Sequence, residues 1–152
     1  MFRGGFQRAV DDKGRVILPQ EFRCQLGMKF VITRGFGGCL FVMTEDYYRI
    51  NFAEKFAEQP ALDPSTTKLE RYFNAQAIDA TADAQGRVQL TPQLRAHAGI
   101  DPQSEVMIHG LTNRLEIWNL DRWNEVDSTV TEEDLALAAA EIGIARGVVF
   151  DS

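Results

Sequence analysis

Apolar and polar positions in this chain alternate in short runs, and the sequence of runs is read through twice. Residues 6–10 alternate at the period of a half-buried strand. Asp11, Asp12, Lys13 and Gly14 interrupt them as a turn, with Gly14 free to take positive φ. Residues 15–18 predict a second strand. Pro19 then opens a short helix through Phe22 and Leu26, and Gly27 ends it. Residues 30–33 and 39–43 predict two more strands, joined by the glycine-rich turn at 34–38. The second pass has strands at 77–81 and 87–90 around a turn at 83–86. It continues with Thr91 as N-cap, Pro92 at the first helical position and Gly99 as the stop. Residues 105–109 and 114–118 predict its closing strands.

The two passes share residues as well as pattern. Asp11, Gly14, Arg15, Val16, Leu18, Arg23 and Gly27 recur as Asp83, Gly86, Arg87, Val88, Leu90, Arg95 and Gly99, all at one offset. Three residues are inserted after Ile100, so Leu40, Val42 and Asp46 realign with Leu115, Ile117 and Asp121. Helical spacing of Tyr48, Phe52 and Phe56 predicts a helix over 44–59 that Pro60 stops. Further helices are predicted from Asp63, from Asn119 and from the capping-box-like start at Thr131, with residues 147–152 as a tail.

A unit of four short strands and one turn of helix buries little and leaves unpaired edges. Two such units closing into one barrel solve both problems. The predicted fold class is therefore α+β: a pseudo-symmetric β-barrel from two tandem repeats with helices packed outside. The chain divides into a first half with its following helix (1–60), a connecting helical segment (61–76), a second half (77–125) and a C-terminal helix and tail (126–152).

Composition changes this picture little. The chain has 152 residues, 45% hydrophobic and 25% charged, as in ordinary globular domains. No apolar stretch is long enough to span a membrane, and the N-terminus lacks a secretory pattern, so the expectation is a cytoplasmic protein. Cys24 and Cys39 match no metal-ligand spacing and are read as reduced thiols. Charge changes more. The net charge is −6, yet residues 1–34 hold seven basic groups against three acids, while nine acids follow Leu115. Such asymmetry bears on partners more than the total does.

The chemistry-bearing pattern is Asp-x-x-Gly-Arg, present as Asp11–Arg15 and Asp83–Arg87. It can be a plain hairpin turn, in which Asp satisfies backbone N–H groups and Arg pairs with Asp or packs its stem. The second copy weighs against that, because turn chemistry does not require the same arginine. A guanidinium on a rigid turn suits phosphate or guanine through its bidentate fork. Lys13 of the first copy corresponds to Gln85 in the second, so the copies are unequal. His97 and His109 have no partner at ligand spacing, and no metal or cofactor is expected. No nucleophile elbow, phosphate loop or dinucleotide fingerprint is present, and Gly35-Phe36-Gly37-Gly38 reads as a hairpin turn. No catalytic residue is assigned and no enzyme is expected. Tyr47, Tyr48, Phe52, Phe56, Tyr72, Phe73, Trp118 and Trp123 read as core or subunit interface rather than a base-stacking platform.

Met1-Phe2-Arg3-Gly4, residues 11–19, residues 83–90, residues 94–99 and Glu116-Ile117-Trp118 together resemble the MraZ family, bacterial transcriptional regulators with tandem SpoVT/AbrB-type halves. The resemblance covers residues 1–125. It implies a swapped-hairpin (AbrB-like) barrel, a closed homo-oligomeric ring, and binding to short direct repeats in double-stranded promoter DNA. The target it implies is the division and cell-wall gene cluster, regulated as a repressor from a nucleoid-associated, cytoplasmic location. It places the DNA-contacting surface on Asp11, Arg15, Asp83 and Arg87.

The reading expected from the residues is that Arg15 reads base edges or clamps phosphate, Lys13 and Arg8 assist, and Asp11 orients the turn. Arg87 is the weaker or more structural twin. Alternatives are a protein-interaction scaffold whose Arg turns are structural, and a small barrel enzyme for which the sequence offers no candidate group. No small-molecule substrate and no membrane partner are expected.

Overall fold

The computed structural model describes residues 1–144, so the predicted tail at 147–152 lies outside the described residues. The first of two compact units covers Met1–Leu120. In chain order it comprises β1 (Phe2–Ala9), β2 (Arg15–Ile17), α1 (Gln20–Leu26), β3 (Phe30–Arg34) and β4 (Leu40–Thr44). Next come α2 (Glu45–Tyr48) and α3 (Glu54–Ala57), then α4 (Pro64–Leu69) and β5 (Ile78–Ala80). The unit finishes with β6 (Arg87–Gln89), α5 (Pro92–Ala98), β7 (Glu105–Thr112) and β8 (Arg114–Asn119). This is the expected mixed α+β architecture of two tandem halves.

The halves interleave. Six strands form one sheet in the order β1-β7-β8-β4-β3-β5, and β2 pairs with β6 as a separate two-stranded ribbon. Sheet and ribbon are antiparallel throughout, and four pairings join one half to the other: β1 with β7, β3 with β5, β4 with β8, and β2 with β6. The register follows the duplication. Val16 pairs with Val88, its own repeat equivalent, and Phe41 pairs with its equivalent Glu116, while Leu40 and Val42 cross to Ile117 and Leu115. A pseudo-two-fold axis therefore runs through both pairings.

Inward-facing residues of sheet, ribbon, α1 and α5 form one core, and equivalents meet in it: Val16 and Val88, Leu18 and Leu90, Phe22 and Leu94, Leu26 and Ala98. Neither half has enough apolar surface to do this alone. Phe22 is fully buried, with its ring edge-to-face against Phe2 and Phe6 at 6.0 and 5.3 Å.

Three elements differ from expectation. β1 begins at Phe2 rather than at residue 6, because β7 supplies a partner for a segment whose own pattern is weak. β7 extends to Thr112 for the same reason. The helix predicted over 44–59 begins at Thr44, whose hydroxyl accepts from the Tyr47 amide, but it passes through a wide π turn at Arg49–Ala53 between α2 and α3. The next helix has Asp63 as N-cap and a matching π turn at Glu70–Asn74. These helices carry aromatic residues that stack with one another and with the β3–β4 turn. Tyr48 lies on Phe52 at 5.2 Å, Phe52 meets Phe73 at 5.1 Å, and Phe73 meets Phe36 at 5.1 Å. The Tyr72 hydroxyl donates to the Gly35 carbonyl, so the glycine-rich segment is a clasped hairpin turn, as its sequence predicts.

The second unit, Asp121–Ser152, contains most of α6 (Leu120–Ser128) and all of α7 (Glu132–Glu141). Thr131 and Asp134 form the predicted capping box. Among the described residues no helix is long and apolar enough to cross a membrane.

Candidate nucleic-acid interface

The ribbon of β2 and β6 presents its inner face to the core and its outer face to solvent. Successive strand residues point to opposite faces, so burying Val16 and Val88 turns Arg15, Ile17, Arg87 and Gln89 outward. Each arginine directly follows its turn.

The two turns are built alike. The Asp11 carboxylate accepts from the Lys13 amide at 3.0 Å, from the Arg15 amide at 2.8 Å and from Arg15 Nε at 2.7 Å. Asp83 accepts from the Gln85 amide at 3.0 Å, the Arg87 amide at 2.8 Å and Arg87 Nε at 2.7 Å. Gly14 and Gly86 complete the turns at φ +76° and +82°, where a Cβ is disfavoured. The Arg15 amide, with further help from the Arg15 guanidinium and the Lys13 amide, holds the Asp11 carboxyl below the usual range. The Arg87 amide and guanidinium and the Gln85 amide do the same for Asp83. A lowered carboxyl keeps its contribution above the ordinary carboxylate pKa and loses it only as pH falls through the lowered value. Both turns are therefore intact at neutral pH.

Holding an arginine by Nε leaves its outer edge, Nη1 and Nη2, as a two-pronged donor. Among the described residues Arg15 Nη1 and Nη2 have no protein partner, and neither does the Lys13 ammonium. In the second copy Gln85 Oε1 accepts from Arg87 Nη2 at 3.3 Å. The side chain of Arg15 is the less exposed of the two, 23% against 33%. Because a guanidinium binds through its N–H donors, the open fork outweighs the difference in area. Replacing Gln85 with Lys is expected to free Arg87 Nη2 and add a charge. Duplex binding measured across a salt series should strengthen several-fold at low salt and steepen by about 0.9 in log–log slope per added contact. An unchanged slope would show that this copy stays off the phosphates.

The structure brings Asp11, Lys13 and Arg15 together, and Asp83 with Arg87. Arg8 lies on β1, with Nη1 donating to the Gln7 carbonyl at 2.9 Å and Cζ 5.5 Å from the centre of the Phe6 ring. Four neighbours of the turns were not singled out as site residues in the sequence. Ile17 and Gln89 share the outer face of the ribbon. Arg23 and Arg95 lie against the turns from α1 and α5. Their recurrence at the repeat offset was the available signal for these two arginines.

One chain that interleaves two copies of a half around a single core, each copy offering an aspartate-anchored arginine, defines a tandem-repeat α+β protein. The chain belongs to the MraZ family. The MraZ protein family, whose description adds a likeness to antitoxins, matches it twice, over residues 1–72 and 73–142. The chain is 38% identical to the transcriptional regulator MraZ of Pediococcus pentosaceus, over 95% of this chain and 100% of the relative. It is 37% identical to that of Lachnoclostridium phytofermentans, over 95% and 99%. It is 39% identical to that of Lactobacillus gasseri, over 90% and 94%. Those names describe regulators of transcription, a role that is not enzymatic.

Proposed function

We propose that this chain is a DNA-binding transcriptional regulator that reads double-stranded DNA with the outer face of the β2–β6 ribbon and its two turns. The observation that carries the reading is the open fork of Arg15 on a rigid, aspartate-anchored turn. A two-stranded ribbon fits the major groove, and a two-pronged arginine matches guanine O6 and N7 or a phosphate. Arg15 is the main contact, Lys13 adds charge, Asp11 and Asp83 fix the turns, Arg87 contributes from the second copy, and Arg8 adds charge from β1. The regulators to which the chain is similar support the class.

One subunit offers few phosphate contacts, so its own affinity is low and strongly salt-dependent. A homo-oligomeric ring presents the same turns at fixed spacing. Several of them engaging repeated boxes on one duplex gain by effective concentration. Neighbours in a ring meet head to tail, which suits direct repeats. In this reading the protein is a repressor at the promoter of the division and cell-wall cluster, in the cytoplasm and at the nucleoid.

The ion pairs within the turns favour one competing reading, a protein-interaction ring in which the arginines are purely structural. Gel retardation of a promoter fragment across a salt series, with particle mass from light scattering, separates the two. Binding that weakens steeply with salt is expected. Salt-insensitive or absent binding would overturn the DNA-binding reading.

A further inference from the structure

Each turn is held by the opposite half of the chain. Gly14 is bare against the guanidinium of Arg95, and a Cβ there would collide with Arg95 Nη1. Arg95 Nη1 also donates to the Leu90 carbonyl, while the Leu90 amide donates to the Gly14 carbonyl at 3.2 Å. The second turn repeats this with the halves exchanged. A Cβ at Gly86 would lie 2.6 Å from Arg23 Cζ, Arg23 Nε donates to the Leu18 carbonyl at 3.0 Å, and the Leu18 amide donates to the Gly86 carbonyl at 3.1 Å. The first turn has an additional clasp, Gln89 Nε2 to the Lys13 carbonyl at 2.9 Å. Ile17, the repeat equivalent of Gln89, has no donor to offer the second.

We propose that Arg95 and Arg23 are positioning residues for DNA recognition that act across the duplication, Arg95 through Arg15 and Arg23 through Arg87. The proposal rests on the DNA-binding reading above. Arg95 belongs to the second half by sequence and to the first turn by mechanics. The planar guanidinium fills the space that a glycine without Cβ leaves, and its bond to the Leu90 carbonyl fixes the strand whose amide holds the turn. Removing it loosens the Gly14 peptide, and the fork of Arg15 then samples more orientations that must be narrowed on binding. A direct phosphate contact by Arg95 would lower affinity too, but in another way, since each lost contact removes about 0.9 from the salt slope.

The test is a set of equilibrium titrations of a promoter duplex with wild type, R15A, R87A, R95A, R95A/R15A and R95A/R87A. R95M, which keeps the stem packed, serves as a second variant should R95A fold poorly. Amide hydrogen exchange on the free proteins is measured alongside. The expected result is a loss of roughly fivefold to tenfold in R95A with the wild-type salt slope. R95A/R15A should bind within about twofold of R15A, whereas R95A and R87A losses should multiply. Exchange should quicken at residues 13–15 and stay unchanged at 85–87. Losses that multiply with R15A, a salt slope reduced by about one, or exchange that quickens equally in both turns would each overturn the proposal. Absence of salt-dependent binding by the wild type would instead refute the DNA-binding reading, and localised exchange in R95A would still report the clasp itself.

Discussion

Arg15→Ala should bind a duplex carrying repeated promoter boxes at least about tenfold more weakly than wild type in a fluorescence titration. A well-made bidentate contact is worth roughly 1–3 kcal/mol, and the proposed ring would engage the same contact in several subunits, so the losses would multiply. The fold should not suffer to match, because the fork of Arg15 holds nothing within the protein and only Nε is bonded to Asp11. Arg15→Lys should fall between, keeping the charge but not the planar pair of donors. Arg87→Ala should lose less, since Gln85 already occupies one of its nitrogens. Affinity near wild type in Arg15→Ala would remove the central contact of the proposed function.

Phe22→Ala should destabilise the first unit by about 3–5 kcal/mol in denaturant titration, the usual cost of truncating a buried phenylalanine. Phe22 is 1% exposed and sits edge-to-face with two rings of β1. Its loss opens a cavity and also loosens the strand that joins the first half to β7. Its repeat equivalent, Leu94, makes no ring contacts of this kind, so Leu94→Ala should cost less. A loss below about 1 kcal/mol at Phe22 would mean that the core closes around the gap.

The turns and the strands that follow them were legible in the sequence because the duplication is nearly unbroken there. The pairing of Val16 with Val88 was not, because equivalence alone does not say where a two-fold axis passes: Leu40 and Leu115 are equivalents too, yet pair with Ile117 and Val42. The aspartate–arginine bonds were legible too, being local to four residues. What could not be read is the destination of long side chains. Arg23 and Arg95 recur plainly, yet nothing in the spacing says that each lies under the glycine of the other copy, because only interleaving brings them there. The Gln89 contact with the Lys13 carbonyl was hidden for the same reason. The first residues of β1 lack a strand pattern because their order comes from β7, more than a hundred positions away in register.

The self-pairing of Val16 with Val88 and of Phe41 with Glu116 has an evolutionary consequence. A dimer of identical subunits cannot change one side of its axis without changing the other. This chain is, in effect, such a dimer written on one strand of peptide, and each side can drift by itself. Lys13 and Gln85 record that drift. On the proposed DNA-binding reading, two unequal sides would give that surface a direction along the helix axis of DNA, which a palindrome could not exploit and a one-way array of boxes could.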